Sequence, residues 1–536
     1  MSDRRFCSRL GLHSELDAGM PETLPGYDEI PYASFPITET HPDRLAAIGH
    51  LFGLKAPDPR HARVLELGCA AGGNLLPVAW FLPGTHCLGI ELSREQALRG
   101  KALGEAMGLA NLAIEHRDIL DFPVAGEPFD YIVAHGVFSW VPEHVREHIL
   151  AICGSRLAPG GIAYISYNTL PGGRQREMLR DMFLHHLRGR ESPRERLSGA
   201  RELLEFLATP LEQVPAGHDW LQQELQYLRT ARDSYLYHEY LEDRNDPLLF
   251  SDFVDAASRH GLQYLADSQL HTLFPSTLGS AAEQALSRCD DLVCEQQYAD
   301  FLRLRPFRQS LLCRTADPLN REIDLDGLLS LPLYADLVPA RDGRRFRNGA
   351  GHEFQVDDRL ARAVLGILAA AYPRALTLAE AWPKAVATLS AKHRARAADG
   401  VPASLAPVLF NLFASNGLQV TWTAPECWRR EPPAATTGPC ASRLARMLAK
   451  QGETLIPTPR HQALELDPVS SRMTGLLDGS RDARQVVDTL LAEALTGADW
   501  ARALAGEPPE RILPGLRANL DSLLRLFERH GLLETP

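Results

Sequence analysis

The sequence predicts an α/β fold with a doubly wound, Rossmann-like sheet, which a helical insertion interrupts and mainly α, winged-helix-like modules follow. Three observations predict this fold. Short apolar runs alternate with amphipathic helical patterns over residues 64–167, as in β-α units with parallel strands. Residues 173–249 show helical patterns without strands, and two similar strand–helix units follow residue 317. A chain of 536 residues has room for roughly two to four domains.

The first strand is predicted at residues 64–67 and contains an acid just before a glycine-rich turn. Glu66 precedes small residues that alternate as Gly68, Ala70 and Gly72, and a helix follows. Glycines let a ligand approach the backbone, and the free N–H groups of a first helical turn attract an anion. The alternation departs from the Gly-x-Gly-x-x-Gly pattern of dinucleotide sites. The alternative to a ligand site is a turn that only packs the helix on the strand.

The second strand is predicted within residues 86–93 and also ends at an acid. Glu91 lies 23 residues after Gly68, where a carboxylate can accept hydrogen bonds from both hydroxyls of a ribose. Ser93 is expected to cap a helix over Arg94–Met107. This second acid favours a nucleoside ligand over a turn that serves packing alone.

Three more strands complete the series. They are predicted at 112–115, 129–136 and 162–167, the last after a turn at 157–161. Asp118 follows the third strand, and His135 and Gly136 close the fourth. Five strand–helix units in this order, with acids at three strand ends, argue against a chance arrangement.

Together, Glu66, the alternating small residues, Glu91 and Asp118 resemble the motifs of the class I S-adenosylmethionine-dependent methyltransferases. The resemblance implies that the helix N-terminus meets the methionyl carboxylate of the cofactor. It also implies that Asp118 accepts a hydrogen bond from the adenine amino group, with Ile119 against the ring. S-adenosylmethionine is therefore the expected cofactor. The residues expected to bind it are Glu66, Gly68, Cys69, Ala70, Gly72, Asn74, Glu91, Leu92, Asp118, Ile119, His135 and Gly136.

This family completes its sheet with a sixth strand and an antiparallel seventh. A helix at 252–260 ends at Gly261, and residues 262–265 then read as a strand. Residues 308–314 alternate like a partly exposed final strand, after a helical stretch at 276–304. Both strands lie far along the chain from the fifth strand, so we expect a helical insertion between the fifth strand and the sixth. Members of this family commonly have a lid over the acceptor at this place.

These patterns divide the chain into segments. We expect a flexible N-terminus at 1–26 and a methyltransferase core at 27–172 and 250–316. The insertion at 173–249 is expected to act as a lid or a regulatory part. Winged-helix-like modules are expected at 317–430 and 440–536. Within the insertion, helices are expected at 174–189, 192–208 and 220–240, separated by Pro210 and Pro215.

The segment before the first strand contains aromatic residues and prolines, and the prolines exclude a helix over residues 27–36. Thr40 or Asp43 is expected to cap a helix that runs to about residue 54. Tyr32 lies in the extended part. The segment either folds over the methionyl end of the cofactor, as is common in this superfamily, or packs on the core through its tyrosines.

The last helix of the insertion ends in polar and aromatic residues, which are Tyr235, Tyr237, His238, Glu239 and Tyr240. Such a group could bind an acceptor amine and remove its proton. The alternative is a helix end with tyrosines packed inward and acids in solvent. The candidate catalytic residues of the whole chain are Tyr32, Tyr167, Asn168, His238 and Glu239.

Four short strings extend the resemblance over nearly the whole chain. They are Tyr-Asp-Glu-Ile-Pro-Tyr at 27–32, Thr-His-Pro-Asp-Arg-Leu at 40–45, Ser-Tyr-Asn-Thr-Leu-Pro-Gly at 166–172 and His-Glu-Tyr-Leu-Glu at 238–242. They resemble methyltransferases with a regulatory domain, a group that includes the rickettsial lysine methyltransferases acting on outer-membrane protein B. This resemblance implies methyl transfer to protein lysines in some members. Asn168 is followed by Thr169, so the Asn-Pro-Pro-Tyr pattern of amino-group DNA methyltransferases is missing.

Composition limits the partners. The formal net charge is −12, and the basic run at 392–396 reads as a solvated loop, so we expect protein docking by the C-terminal modules and no nucleic acid. The nine cysteines include no Cys-x-x-Cys pair, which argues against a metal site or a disulfide framework. The start lacks an apolar leader, and no apolar run reaches about 18 residues, which predicts a cytoplasmic protein without membrane insertion.

The favoured function is in-line methyl transfer to a protein lysine. One alternative is a small-molecule methyltransferase that uses the insertion as a lid. Another is a regulator that binds S-adenosylmethionine without catalysis and acts through its C-terminal modules. The sequence names neither the acceptor nor the oligomeric state.

Overall fold

The computed structural model describes residues 26, 29–212, 219–349, 351–396, 400–423, 438–498, 500–501 and 507–534. The expected flexible residues 1–25, Tyr27 and Pro215 lie outside the described residues. Among the described helices, none is both long and apolar enough to span a lipid bilayer.

Seven strands form the central sheet, and they are β1 (Arg63–Leu67), β2 (His86–Glu91), β3 (Leu112–His116), β4 (Phe129–Ala134), β5 (Leu157–Asn168), β6 (Leu262–Asp267) and β7 (Phe307–Arg314). Their order across the sheet is β3-β2-β1-β4-β5-β7-β6. The first five strands pair in parallel, and β7 runs antiparallel to both β5 and β6. The predicted sixth strand and antiparallel seventh strand are therefore confirmed.

Two of these strands differ from the prediction. The residues expected to form a turn at 157–161 belong to β5, which begins at Leu157. The last strand, β7, is buried over residues 308–313 rather than partly exposed, because it lies between β5 and β6. Two of its polar residues have partners inside the protein, since Arg308 Nε donates to Asp300 Oδ2 at 2.6 Å and Ser310 Oγ lies 3.1 Å from the Tyr167 hydroxyl.

Four helices accompany the first five strands, and they are α1 (Pro42–Leu51), α2 (Leu75–Phe81), α3 (Arg94–Met107) and α4 (Glu143–Arg156). The predicted cap of α3 is confirmed, because the Ser93 hydroxyl accepts the Gln96 N–H at 3.3 Å. The predicted caps of α1 are wrong. His41 caps this helix, with its Nδ1 accepting the Asp43 N–H at 3.3 Å, while the Thr40 and Asp43 side chains bond to other parts of the chain.

The insertion is helical, as predicted, and contains α5 (Gly173–His186), α6 (Pro193–Glu212), α7 (Asp219–Thr230) and α8 (Asp233–Tyr240). The helix expected at 220–240 is two helices, because Arg232 has an extended backbone. Helix α6 continues through Pro210 instead of ending before it. The insertion has an apolar core of its own, which also includes Ile30 from the N-terminal segment.

The sheet is completed by α9 (Phe250–Arg259), α10 (Ser280–Leu286) and α11 (Leu292–Arg303) around β6 and β7. Gly261 follows α9 with φ of 73°, the left-handed conformation expected of a helix-ending glycine. Apolar cores cover both faces of the sheet. Tyr164 of β5 belongs to one core and Tyr167 to the other. Side chains alternate between the two faces of a strand, so residues three positions apart lie on opposite faces.

Two C-terminal modules follow. The first contains α12 (Leu325–Ser330), β8 (Leu333–Tyr334), β9 (Leu337–Pro339), β10 (Arg345–Asn348), β11 (Glu353–Gln355), α13 (Arg359–Ala371), α14 (Leu378–Thr388), α15 (Ala391–Arg396), α16 (Leu405–Ala414) and β12 (Gln419–Val420). The second contains β13 (Cys440–Ala441), α17 (Arg443–Lys450), β14 (Leu455–Pro457), β15 (Ala463–Glu465), α18 (Pro468–Leu476), α19 (Ala483–Leu495), α20 (Pro509–Arg529) and β16 (Leu533–Glu534). Each has a β-hairpin, then helices, then a strand that pairs back with the start of the module. The two modules thus share an order of elements, and their origin by duplication stays a prediction.

The two modules contact the sheet domain differently. The first shares a continuous apolar core with the sheet. The second has its own core and touches α2 and α3 through Leu444, which packs in one cluster with Trp80 and Leu103. The second module therefore docks on helices that follow the glycine-rich turn and the second strand.

Candidate active site

The turn after β1 needs small residues for its own shape and for a close contact. Gly68 has φ of 74°, and a Cβ there would lie 2.5 Å from Val137 Cγ2. A Cβ on Gly73 would lie 2.2 Å from the carbonyl carbon of Ser34. Ser34 belongs to residues 31–37, which form neither a helix nor a strand and which we call the strap. The strap thus lies directly against the turn.

Glu91 ends β2 and holds the turn. Its Oε2 accepts the Ala70 N–H and its Oε1 accepts the Ser93 N–H, both at 2.8 Å. The ribose contact that the resemblance implies for this carboxylate stays a prediction. Loss of the Glu91 carboxylate would release both backbone segments as well as that contact.

Glu66 is buried beneath the turn and is only 3% exposed. Its Oε1 accepts a hydrogen bond from Asn74 Nδ2 at 2.9 Å, whereas its Oε2 has no hydrogen-bond partner among the described residues. Burial raises the pKa of Glu66 to about 8; Glu91 adds to the rise and the Asn74 bond opposes it. A buried carboxylate oxygen without a partner suits a ligand that brings a positive charge. The α-ammonium group of S-adenosylmethionine fits this requirement.

The strap covers the start of the helix after the turn. Gly73 N–H donates to Ser34 Oγ at 2.7 Å, and Ile37 N–H donates to Asn74 Oδ1 at 3.0 Å. The expectation of free N–H groups at this helix start is therefore wrong at Gly73. The strap lies on the turn, whereas Tyr32 packs against His238 of the insertion, with ring centroids 5.5 Å apart, and not on the core of the sheet. A contact of this segment with the methionyl end of the cofactor stays a prediction.

The other residues expected to contact the nucleoside follow β1, β2 and β3. Asp118 is half-buried after β3, with its Oδ1 accepting the Leu120 N–H at 2.9 Å. Ile119 and Leu92 are also half-buried, and Cys69 is buried. Their contacts with the adenine and ribose stay predictions.

His135 and Gly136 follow β4. Gly136 N–H donates to Ser166 Oγ at 2.8 Å, and His135 Nδ1 lies 2.9 Å from the Tyr164 hydroxyl. Burial lowers the pKa of His135 to about 4. The imidazole is therefore neutral near pH 7 and adds no charge to the site.

Two candidate catalytic residues, Tyr167 and Asn168, are neighbours on β5 and point to opposite faces of the sheet. Tyr167 stacks on Phe253 with ring centroids 4.2 Å apart, and its hydroxyl lies 3.1 Å from Ser310 Oγ. This side chain is 1% exposed, so it packs in the core. Asn168 is also buried, and its Nδ2 donates to Asn245 Oδ1 at 2.8 Å.

His238, another candidate, is buried with both ring nitrogens bonded. Its Nε2 lies 2.6 Å from the Ile30 carbonyl oxygen, to which it donates, and its Nδ1 lies 2.9 Å from Glu242 Oε1. A general base needs a nitrogen lone pair that faces the substrate. In the structure, His238 instead joins the insertion to the N-terminal segment through its hydrogen bond to Ile30.

Glu239 lies at the end of α8, next to Arg176 of α5. The Arg176 Nη1 is 3.4 Å from Glu239 Oε2, and the Glu239 side chain is 16% exposed. Burial raises the pKa of Glu239, and Arg176 opposes the rise. The alternative with acids in solvent is thus wrong for this residue, although Tyr237 and Tyr240 do pack inward.

Tyrosines surround this carboxylate. Burial and the charge of Glu239 raise the pKa of Tyr32, and burial raises the pKa of Tyr235. Both phenols therefore stay neutral and can donate hydrogen bonds. Tyr227, which is 51% exposed, packs edge-on against Tyr235 with centroids 5.5 Å apart, so this group reaches the solvent. We call Tyr32, Tyr235, Glu239 and Arg176 the Glu239 cluster.

Sequence reasoning missed Ser34, Arg176 and His461. His461 Nε2 lies 2.7 Å from Asn74 Oδ1 although the two residues are 387 positions apart. No local pattern could have indicated that contact. Arg176 lies four residues before Arg180 on a predicted helix, and helical spacing places both on one face. That face could have been matched to the acids of 239–243.

Three family models match parts of the chain. The methyltransferase domain model matches residues 64–161, and the predicted methyltransferase regulatory domain model matches residues 232–314. The C-terminal winged helix domain model of PKMT matches residues 438–532. The regulatory match runs from α8 through β7, so it includes the strands that complete the sheet.

The structure of PKMT2 from Rickettsia typhi is similar over almost the whole chain. It has a TM-score of 0.80 and 27% identity, and the match covers 94% of this chain and 100% of PKMT2. PKMT2 in complex with AdoHcy gives a TM-score of 0.77 and 26% identity at the same coverage.

Two uncharacterised proteins of Rickettsia prowazekii are also similar. RP789 is 39% identical over 316 residues, which cover 59% of this chain, and the chain spans only 57% of RP789. RP028 is 37% identical over 240 residues, which cover 45% of this chain and 96% of RP028.

The sheet order, the acids at the strand ends and these matches define a class I S-adenosylmethionine-dependent methyltransferase. The chain belongs to the methyltransferases that carry a methyltransferase regulatory domain, and it resembles rickettsial PKMT2. S-adenosylmethionine is its cofactor, in line with the AdoHcy complex of PKMT2.

Proposed function

We propose that this protein transfers a methyl group from S-adenosylmethionine to lysine side chains of a protein. The observation that carries the proposal is the similarity to PKMT2 through the insertion and both C-terminal modules. A match confined to the sheet would support only the cofactor, because many methyltransferases share that fold. The name PKMT denotes a protein lysine methyltransferase.

The Glu239 cluster is suited to a lysine side chain. A lysine ammonium group is attracted by tyrosine ring faces and by carboxylates. Tyr227 forms the solvent-exposed rim, and Glu239 lies farther inside. The strap connects this cluster to the cofactor turn within a few residues, since Tyr32 contacts the insertion and Ser34 contacts Gly73.

A lysine ammonium must lose a proton before its nitrogen can attack. Glu239 supports this step because burial raises its pKa toward that of the amine. When bound, S-adenosylmethionine supplies a methyl group activated by a sulfonium. The neutral amine forms the new N–C bond as the S–C bond breaks, so the positive charge moves from sulfur to nitrogen. Glu239 keeps the proton until solvent takes it up.

Methyl transfer is tested with the full-length protein and S-adenosylmethionine labelled with tritium in the methyl group. The acceptor is a cell extract from a strain that lacks the gene. We expect label in the macromolecular fraction and methylated lysine after hydrolysis. Label confined to dialysable products would refute the proposal and favour a small-molecule acceptor. Tight AdoHcy binding without any labelled product would refute it in favour of a non-catalytic regulator.

The acceptor site is tested with Tyr32→Phe and Glu239→Gln. Both variants should lower the labelling rate while leaving AdoHcy affinity within about twofold, since neither residue belongs to the cofactor turn. Glu205→Gln is the matched control, because Glu205 lies in the same insertion and pairs with Arg229 in solvent. If Glu205→Gln slows labelling as much as Glu239→Gln, the Glu239 cluster is not the acceptor site.

A further inference from the structure

The hairpin of the winged-helix domain reaches into the cofactor site. Its strands are β14 and β15, and residues 458–462 form the tip between them. His461 in this tip is only 2% exposed, and its Nε2 lies 2.7 Å from Asn74 Oδ1. The neighbouring Thr38 hydroxyl donates to the His461 carbonyl oxygen at 2.9 Å. The hairpin tip, the end of the strap and the glycine-rich turn therefore meet at one buried point.

The hydrogen bonds at this point orient the Asn74 amide. Burial lowers the pKa of His461 far below its usual value, so the ring is neutral, and Nε2 carries the proton that it donates to Asn74. The Ile37 N–H donates to the same oxygen at 3.0 Å. A flipped amide would place its NH₂ group against both donors. Asn74 must therefore direct Nδ2 toward Glu66, as the structure shows at 2.9 Å.

The hairpin tip holds His461 in an unfavourable backbone conformation. Its φ of 59° lies in the left-handed region, which non-glycine residues rarely adopt. Such strain persists only where surrounding contacts impose it, and it is common at functional positions. Here the contacts include Tyr372, whose hydroxyl donates to Gln462 Oε1 at 2.8 Å, and Arg460, whose Nε donates to the Pro373 carbonyl at 2.8 Å.

We propose that His461 is a positioning residue for cofactor binding, and that the winged-helix domain thereby completes the cofactor site of the sheet domain. His461 orients Asn74, and Asn74 occupies one oxygen of Glu66. The second oxygen is left for the α-ammonium group of the cofactor. This inference depends on the cofactor and is independent of the acceptor.

The effect is specific to one end of the cofactor. AdoHcy carries the α-ammonium group, whereas 5′-methylthioadenosine has the same nucleoside and thioether but lacks the amino-acid part. A link that acts through Glu66 affects AdoHcy alone. A general loosening of the domain contact affects both ligands equally.

Two substitutions separate the hydrogen bond from the backbone strain. A glutamine amide nitrogen can occupy the place of a histidine Nε2, whereas an asparagine nitrogen reaches only the place of Nδ1. His461→Asn therefore loses the bond to Asn74, although asparagine tolerates the left-handed backbone well. His461→Gln keeps the donor without that backbone advantage. Gln462→Ala is the matched control, because it removes a neighbouring contact of the hairpin to Tyr372 only.

The affinities of both ligands are measured by calorimetry on each full-length variant, with thermal unfolding to confirm folding. His461→Asn should weaken AdoHcy about tenfold and methylthioadenosine by less than twofold. His461→Gln should stay within about threefold of the parent for AdoHcy, and Gln462→Ala should shift both ligands equally or not at all. Equal losses for both ligands in His461→Asn, no loss at all, or no recovery in His461→Gln would overturn the proposal.

Asn74→Ala provides an independent check, because it breaks the same link from the other side. It should weaken AdoHcy selectively, and adding His461→Asn to it should cause no further selective loss. A further selective loss of AdoHcy affinity in the double variant, beyond that of Asn74→Ala, would overturn the proposal. If the His461 variants do not fold, equal losses of both ligands in Asn74→Ala alone would overturn it. Lysine methylation plays no part in these measurements, so a failure here is distinct from a failure of the proposed activity.

Discussion

Replacing Glu66 by glutamine should stabilise the ligand-free protein and weaken cofactor binding at the same time. Glu66 is buried, and one of its oxygens has no partner among the described residues. Glutamine has the same size and shape but never carries a charge. The substitution therefore removes the free-energy cost of keeping this carboxyl protonated in the folded, ligand-free protein, together with the attraction for the ligand ammonium.

The magnitude follows from the pKa of Glu66, which burial raises from 4.5 to about 8. An unfolded chain ionises this carboxyl above pH 4.5, while the folded protein keeps it protonated up to about pH 8. The folded state therefore loses stability as pH rises between these values, by about 1.4 kcal/mol per pH unit. The loss reaches about 3 kcal/mol at pH 7 and about 5 kcal/mol above pH 8. Glu66→Gln should recover most of it.

The assay is thermal unfolding of both proteins at several pH values between 5 and 9, without and with AdoHcy. The difference in midpoint should be small at pH 5, grow to several degrees at pH 7, and level off above pH 8. AdoHcy should raise the midpoint of the parent more than that of Glu66→Gln, because the variant binds it about tenfold to a hundredfold more weakly. Glu205→Gln, an exposed change, is the control for surface charge.

A difference in midpoint that does not change with pH would refute the role given to Glu66 ionisation. Unchanged AdoHcy affinity in Glu66→Gln would refute the ammonium contact, whatever happens to stability. A variant that is less stable at pH 8 than the parent would show that the buried carboxylate has a partner that the described residues do not include.

Three further outcomes are expected. Glu239→Gln should lower the rate of lysine methylation about a hundredfold. The methylation rate of the parent should fall as the pH drops through the raised pKa of Glu239, and this fall should be absent in the variant. Steady-state rates measured against pH check both expectations. Gly73→Ala should lower the unfolding midpoint and the AdoHcy affinity, because its Cβ would meet the Ser34 backbone. The control Gly366→Ala should instead stabilise helix α13 by about 0.5–1 kcal/mol, because a Cβ there would meet no described atom within 4 Å outside the backbone of its own helix. Asp43→Ala should destabilise the protein by about 3 kcal/mol in urea unfolding, because Asp43 accepts the N–H groups of Trp422 and Thr423 at 2.9 and 2.7 Å; a loss below 1 kcal/mol would contradict this.

The sheet could be predicted from the sequence because its signals are local. Apolar runs with an acid at or just after their end predicted β1 to β3, an apolar run alone predicted β4, and Gly261 marked the end of α9 before β6. The exposure of β7 could not be predicted in the same way. Its residues Arg308, Gln309 and Ser310 are polar and yet buried, because an antiparallel strand between two others can satisfy polar groups with partners such as Asp300.

The candidate site was less predictable than the fold. The acids that we expect to bind the cofactor lie at strand ends, where topology alone brings them together. By contrast, the chemistry of Tyr167 and His238 suggests a catalytic role, but both side chains are buried and their polar atoms bond to other residues. Local sequence shows which groups a segment carries. Burial and tertiary partners decide which of them can reach a substrate.

The strap is the element through which these distant partners act together. Its residues 32 and 37 are five positions apart, so their separation is at most about 18 Å. Tyr32 at one end belongs to the Glu239 cluster, and Ile37 at the other bonds Asn74. Beyond this end, Thr38 bonds the winged-helix hairpin at His461. One short segment therefore joins the winged-helix hairpin, the glycine-rich turn and the Glu239 cluster.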